Sequence, residues 1–197
     1  MANKPIYIGN VVKAAHLVLM GYGHWMPNDP RGSGSAEIRQ LGLERLGPIH
    51  FGRKRVQPGR AELKAFHREA EQILQHDVVW FDEEKRTIIG EAIGRVVREM
   101  GYTVWAAAVL TNHWHLVVRT HRDDSLTMLC RIAEGTFHAL HERGLVPEGH
   151  PVWADRPYKV FLRTRDEVLG RIDYVEKNPM KEGLARQHWE FVKECML

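Results

Sequence analysis

His113-Trp114-His115 places two imidazoles at alternate positions of a short run. On an extended strand successive side chains take opposite faces, so His113 and His115 share one face about 7 Å apart, and Trp114 points into the opposite layer. Two such rings can converge on one metal ion. They can equally hydrogen-bond locally at a strand mouth, and the motif alone leaves both readings open. Val117 and Arg119 continue the same face. Tyr174 is the second candidate. Val168, Leu169, Ile172 and Val175 mark the apolar stripe of a predicted last helix, and Tyr174 lies roughly 150° from its centre, where a packing tyrosine is not expected. Arg171, three residues earlier, and Asn178, four later, share its polar face. The amide oxygen of Asn178 could serve as a third metal ligand beside the histidines. A solvated tyrosine at a helix end is the plainer alternative. Tyr7, Tyr22, Tyr102 and Tyr158 have no such companions.

These residues need elements to hold them. Residues 14–21 read as a buried first strand closed by glycine, and 22–35, dense in Gly, Pro, Asn and Asp, as a loop. The stretch from Glu37 to Gly59 is poorly patterned and reads as a flexible insertion or arm. Residues 61–75 and 81–100 carry apolar side chains at helical spacing, predicting two amphipathic helices laid on a sheet, the second stopped by Gly101. Residues 102–120 split into two strands around Thr111-Asn112. Ser125 reads as the N-cap of a helix with Leu126, Leu129, Ile132, Ala133, Phe137 and Leu140 on its stripe, and Cys130 as a small core residue. Residues 151–163 look like a hairpin turning at Asp155-Arg156-Pro157. Thr164 and Glu167 make a capping box, and Pro179 should end the last helix near Asn178. The order predicts one α+β domain over residues 1–197, with a loop insertion at about 24–60.

Composition narrows the class without choosing a function. The 197 residues are 44% hydrophobic and 27% charged, which argues against wholesale disorder. The net charge of +3 is too small to establish a nucleic-acid partner. Two cysteines, Cys130 and Cys195, are too few for a disulfide framework and suit a reducing cytoplasm. Apolar runs are too short for a membrane-spanning helix. The N-terminal stretch carries Lys4 and Lys13 but lacks a compact apolar segment followed by a small-residue cleavage site. A soluble protein of the cytoplasm, associated with the nucleoid if it acts on DNA, is expected.

Taken jointly, the motifs resemble a known family. Asn112 followed by His113-Trp114-His115, the helix segment Y-V-E-K-N-P-M-K-E-G-L from Tyr174 to Leu184, and Y-G-H-W-M-P-N-D-P-R-G-S from Tyr22 to Ser33 resemble the single-tyrosine HUH (His-hydrophobe-His) transposases. Within them the chain is most similar to the REP-associated tyrosine transposase branch, over about Ala14 to Val192. It departs in a longer loop from Gly34 to Gly59 and in a less basic helix after the histidine strand. The resemblance implies a ferredoxin-like or RRM-like antiparallel sheet with helices mainly on one face and the histidines on a central strand. It also implies nicking and rejoining of single-stranded, hairpin-bearing DNA. Mg²⁺ or Mn²⁺ held by His113, His115 and Asn178 would polarise the scissile phosphate. Tyr174, whose free phenol has a pKa of about 10, would attack phosphorus and leave a 5′-phosphotyrosine and a 3′-OH. The covalent bond keeps the phosphodiester energy, so no nucleotide cofactor is needed, and no P-loop occurs in the sequence. Relatives act as monomers or as homodimers that exchange the tyrosine helix.

Arg53, Lys54, Arg55, Arg156, Lys159, Arg163 and Lys181 are candidate phosphate contacts. Trp25 and Trp153 are candidate base-stacking surfaces, while Trp114 reads as structural. Two other readings stand beside the transposase: a domesticated DNA-binding regulator that does not cleave, and a metal-dependent nuclease that uses water.

Overall fold

The computed structural model describes residues 11–38 and 42–197. Four strands, β1 (Ala14–Met20), β2 (Val104–Val109), β3 (His113–Arg119) and β4 (Tyr158–Leu162), form one antiparallel sheet in the order β2-β3-β1-β4. With α2 (Glu83–Met100) before β2 and α3 (Ser125–Glu142) before β4, this is the ferredoxin-like β-α-β-β-α-β arrangement. β1 and β3 are the two inner strands, so the histidine motif sits mid-sheet. The β2–β3 connection turns at Thr111-Asn112, whose carbonyls accept from the Phe81 and Gly21 amides at 2.7 Å each. α4 (Arg165–Lys181) closes the domain, opened by the expected Thr164–Glu167 capping box.

Strand alternation sorts the chain into two layers. Leu17, Leu19, Trp114, Leu116 and Val118 face α2 and α3, where Ile89, Ile93, Ile132 and Leu140 complete the main core. The other face carries Ala14, Ala106, Ala108 and Val117 under Val168 and Val175 of α4. A β-bulge between Val104 and Ala106 turns Trp105 into this second layer. The alanines matter for function: small side chains let α4 lie close to the sheet and set its polar face beside the histidines. Among the described residues no helix is long and apolar enough to cross a membrane.

Several expectations need correction. α1 (Arg60–Glu71) does not lie on the sheet. Its Phe66 and Ala70 pack with Met26 and Leu43, the latter on a 3-10 turn over Leu43–Leu46, in a separate small core. The insertion is thus built, in its described parts, around its own apolar cluster and is not a plain arm. Residues 151–154 form only a single bridge, Trp153 to Gly21, so there is no hairpin; β4 pairs with β1 instead. The cap of α3 is Asp124, whose carboxylate accepts from the Thr127 amide at 2.7 Å, with Ser125 as first helical residue. Helix α4 runs two residues past Pro179; proline that near the end removes one bond, and the burial of Asn178 and Pro179 holds the turn. Leu169 is 41% exposed and off the stripe, and Cys130 is exposed.

One packing contact gives a stability prediction. A Cβ added to Gly90 on α2 would come within 2.1 Å of the Trp189 ring. Gly90→Ala gains about 1 kcal/mol of helix propensity, but displacing a packed indole costs about 1–3 kcal/mol. A lower melting temperature is expected, and a higher one would show that Trp189 is not seated there.

Candidate functional site

The β3 pleat brings His113 and His115 to one face, with their Nε2 atoms 2.9 Å apart. β1 adds a ring that the motif does not contain. Val18 lies opposite His115 in the β1–β3 register, so His16, two residues earlier on the same face, is its diagonal neighbour. His16 Nε2 is 2.9 Å from His115 Nδ1, with the rings stacked at 5.1 Å. Further along, Arg171 on α4 is 3.2 Å from His16 Nδ1, and at the other end His113 Nδ1 is 2.6 Å from Asn112 Oδ1.

The polarity of this chain follows from its ends. Arginine only donates, so His16 Nδ1 accepts and its proton sits on Nε2. His16 therefore donates to His115 Nδ1. His115 in turn donates from Nε2 to His113 Nε2, and His113 donates from Nδ1 to the Asn112 oxygen. All three rings are neutral. Burial lowers the pKa of His16 to about 3, His113 to about 4 and His115 to about 2, with neighbouring cations and rings adding to the effect. His24, whose Nε2 is 2.6 Å from the Val79 carbonyl, is likewise lowered by burial to about 4.

These shifts fix a pH dependence. Below about pH 6.5 the unfolded chain binds protons that the folded rings refuse, so stability falls as pH drops from there toward the lowered values, and is complete above about pH 7. Each buried ring contributes a slope of up to about 1.4 kcal/mol per pH unit. Chemical denaturation of EDTA-treated protein between pH 7 and pH 5, above the range where carboxylates titrate, should show this loss. A flat profile would contradict neutral burial.

Tyr174 meets this row edge-on, its ring 5.8 Å from that of His115 and 6.2 Å from that of His16. It is 39% exposed, so packing against the histidines leaves it open to a substrate. Lys181 Nζ stands 4.8 Å from the centre of the tyrosine ring and the Arg171 guanidinium 5.6 Å. Asn178 lies one turn beyond Tyr174 on α4 and is buried at 8% exposure.

Two imidazole nitrogens on one face are a donor pair suited to a divalent transition metal ion. Two ligand atoms about 2.1 Å from a metal and about 90° apart are about 3.0 Å from each other, close to the 2.9 Å between the two Nε2 atoms. Among the described residues no three His, Cys, Asp or Glu side chains converge on one point.

Of the basic candidates, Lys181 is brought to the tyrosine. Lys159 pairs with Leu17 across β1–β4 and so lies on the α3 face, where with Phe161 it lines a cavity of about 270 Å³. Arg156 is ion-paired with Glu37 at 2.6 Å. Arg163 precedes α4, its amide donating to Glu167. Arg53, Lys54 and Arg55 belong to the insertion, whose chain is clipped to the Tyr22–Ser33 loop by Gly52 and Lys54 amides donating to the Ser33 and Arg31 carbonyls. Arg31 forms a bidentate pair with buried Asp29 and covers Trp25 at 4.1 Å, leaving that ring 41% exposed. Trp114 is fully buried, and Trp153 packs against the core with its indole donating to the Ala133 carbonyl. Tyr7 and Lys4 lie outside the described residues. His16 belongs to neither motif, and a lone histidine in the apolar run Ala14–Met20 is the one signal the sequence carries for it.

No family model and no curated protein matches the chain. Among solved structures it is similar to a REP-associated tyrosine transposase bound to a REP hairpin, at 15% identity and a TM-score of 0.47, covering 97% of this chain and 81% of that one. It is also similar to a protein described as a transposase from Deinococcus radiodurans R1, at 8% identity and a TM-score of 0.40, covering 90% and 97%.

Proposed function

We propose that the chain nicks and rejoins single-stranded, hairpin-bearing DNA through a covalent tyrosine intermediate, as a metal-dependent tyrosine transposase. The observation that carries this reading is the edge-on approach of an off-stripe, solvent-open Tyr174 to the paired imidazoles of His113 and His115. A Mg²⁺ or Mn²⁺ ion held by His113, His115 and Asn178 would supply Lewis-acid polarisation of the scissile phosphate. Tyr174 Oη forms the new bond to phosphorus as the bond from phosphorus to the 3′ oxygen breaks. The phenol proton passes to solvent and the departing oxygen takes one up, leaving a 3′-OH and a 5′-phosphotyrosine. Because one ester replaces another, reversal needs no nucleotide cofactor. Arg171 and Lys181, both beside the tyrosine ring, place positive charge where the phosphate must lie.

The test uses a single-stranded hairpin substrate labelled in turn at each end, with Mn²⁺. Label from the fragment 3′ to the cut should become attached to protein, while the 5′ fragment is released with a free 3′-OH. Cleavage without attachment would favour the water-using nuclease. Binding without cleavage across metals and sequences would favour the regulator.

A further inference from the structure

We propose that His16 is the positioning residue of the cation site, holding the His115 ring through Nδ1 and making cation binding and the Arg171–His16 contact mutually exclusive. The inference rests on the metal reading given above. Its basis is the single file of nitrogen atoms from Arg171 through His16 and His115 to His113, every link between 2.9 and 3.2 Å.

In the observed arrangement the bonds run outward from Arg171, and His115 carries its proton on Nε2. A cation between His113 and His115 needs a lone pair on both Nε2 atoms. His113 Nε2 already has one, engaged only by the His115 proton. The His115 proton must instead reside on Nδ1, where it faces His16 Nε2. His16 then accepts at Nε2 and carries its own proton on Nδ1, the atom Arg171 now faces with a donor. Each ring keeps one proton throughout, so no charge changes hands; only the tautomers switch. Two donors cannot share that contact, and Arg171 has to leave it. Since coupling free energies are reciprocal, Arg171 docked on His16 weakens cation binding, and a bound cation frees Arg171 on the helix that carries Tyr174. Outer-shell partners of metal-ligating histidines commonly fix the tautomer in this way.

The experiment is calorimetric titration with Mn²⁺, paired with ¹⁵N NMR of the histidine rings in the full chain. His16→Leu should weaken Mn²⁺ binding about 10–100-fold. His16→Gln, whose amide oxygen can still accept from His115 Nδ1, should recover much of it. Arg171→Leu should tighten binding several-fold, since both its donor to His16 and its positive charge are lost, and the ring tautomers separate the two effects. In EDTA-treated wild type, His16 and His115 should both appear as Nε2-protonated neutral rings, and both should switch to Nδ1 protonation on adding Zn²⁺ as a diamagnetic probe. Unchanged binding in His16→Leu, weaker or equal binding in Arg171→Leu, or an Nδ1-protonated His16 before metal is added would each overturn the proposal. If wild type binds and His113→Ala does not, while His16→Leu is indifferent, this inference alone fails. If wild type itself binds no Mn²⁺, the metal reading fails with it.

Discussion

Tyr174→Phe should abolish covalent capture of DNA and lower strand cleavage by at least about 10³-fold, the scale on which removing a nucleophile is felt. Only one oxygen is lost. The ring keeps its edge contacts with His115 and His16, and the position is 39% exposed, so stability should move by no more than about 0.5 kcal/mol. That separation of effects gives the variant its force. A nuclease that activates water would keep cutting in Tyr174→Phe, and an adduct formed at another residue would survive it. Denaturing gels of the two proteins with labelled hairpin DNA, beside matched melting curves, decide the matter.

His113→Ala should remove cleavage to a comparable extent, about 10³-fold or more, because several kcal/mol of charge stabilisation at the phosphate go with the ligand and each 1.36 kcal/mol is tenfold. His113 ends the histidine row beside Asn112 and is only half-buried, so its truncation leaves the His16–His115 pair intact and lets water take the proton that His115 Nε2 donates to it. His115→Ala should be as inactive but also less stable. It is 5% exposed and accepts from His16, so its loss strands a buried donor at a cost of about 1–3 kcal/mol. Mn²⁺ titration should show weakened binding in both. Full metal affinity in His113→Ala would place the cation elsewhere.

The sheet and its helices were legible because their signals are local. Short, nearly continuous apolar runs bounded by turn residues marked β1, β2 and β3 near their observed limits, and 3.6-residue spacing marked α2 and α3. Thr164–Glu167 marked a helix start through its two reciprocal bonds. Signals that depend on a distant partner were misread. The periodicity of α1 shows that it has an apolar face, but nothing in it says that Met26 and Leu43 cover that face in place of the sheet. Residues 155–157 have turn composition, yet β4 finds β1, about 140 residues away in sequence, rather than its own neighbour.

The site divides along the same line. His113 and His115 share a face by alternation alone, and Tyr174 stands out because it is off its helix's stripe. His16 joins them only through the β1–β3 register, and Arg171 reaches His16 only because small residues let α4 settle on that face. Lys159 illustrates the converse. Its charge made it a candidate, but its pairing with Leu17 turns it to the far side of the sheet.

Covalent attack by Tyr174 is tested most directly by mapping the attachment point. After reaction with hairpin DNA and Mn²⁺, nuclease trimming and tryptic digestion, mass spectrometry should find the added nucleotide phosphate on the peptide spanning residues 172–177, localised to Tyr174. Attachment at any other side chain, or cleaved DNA with no modified peptide, would contradict it.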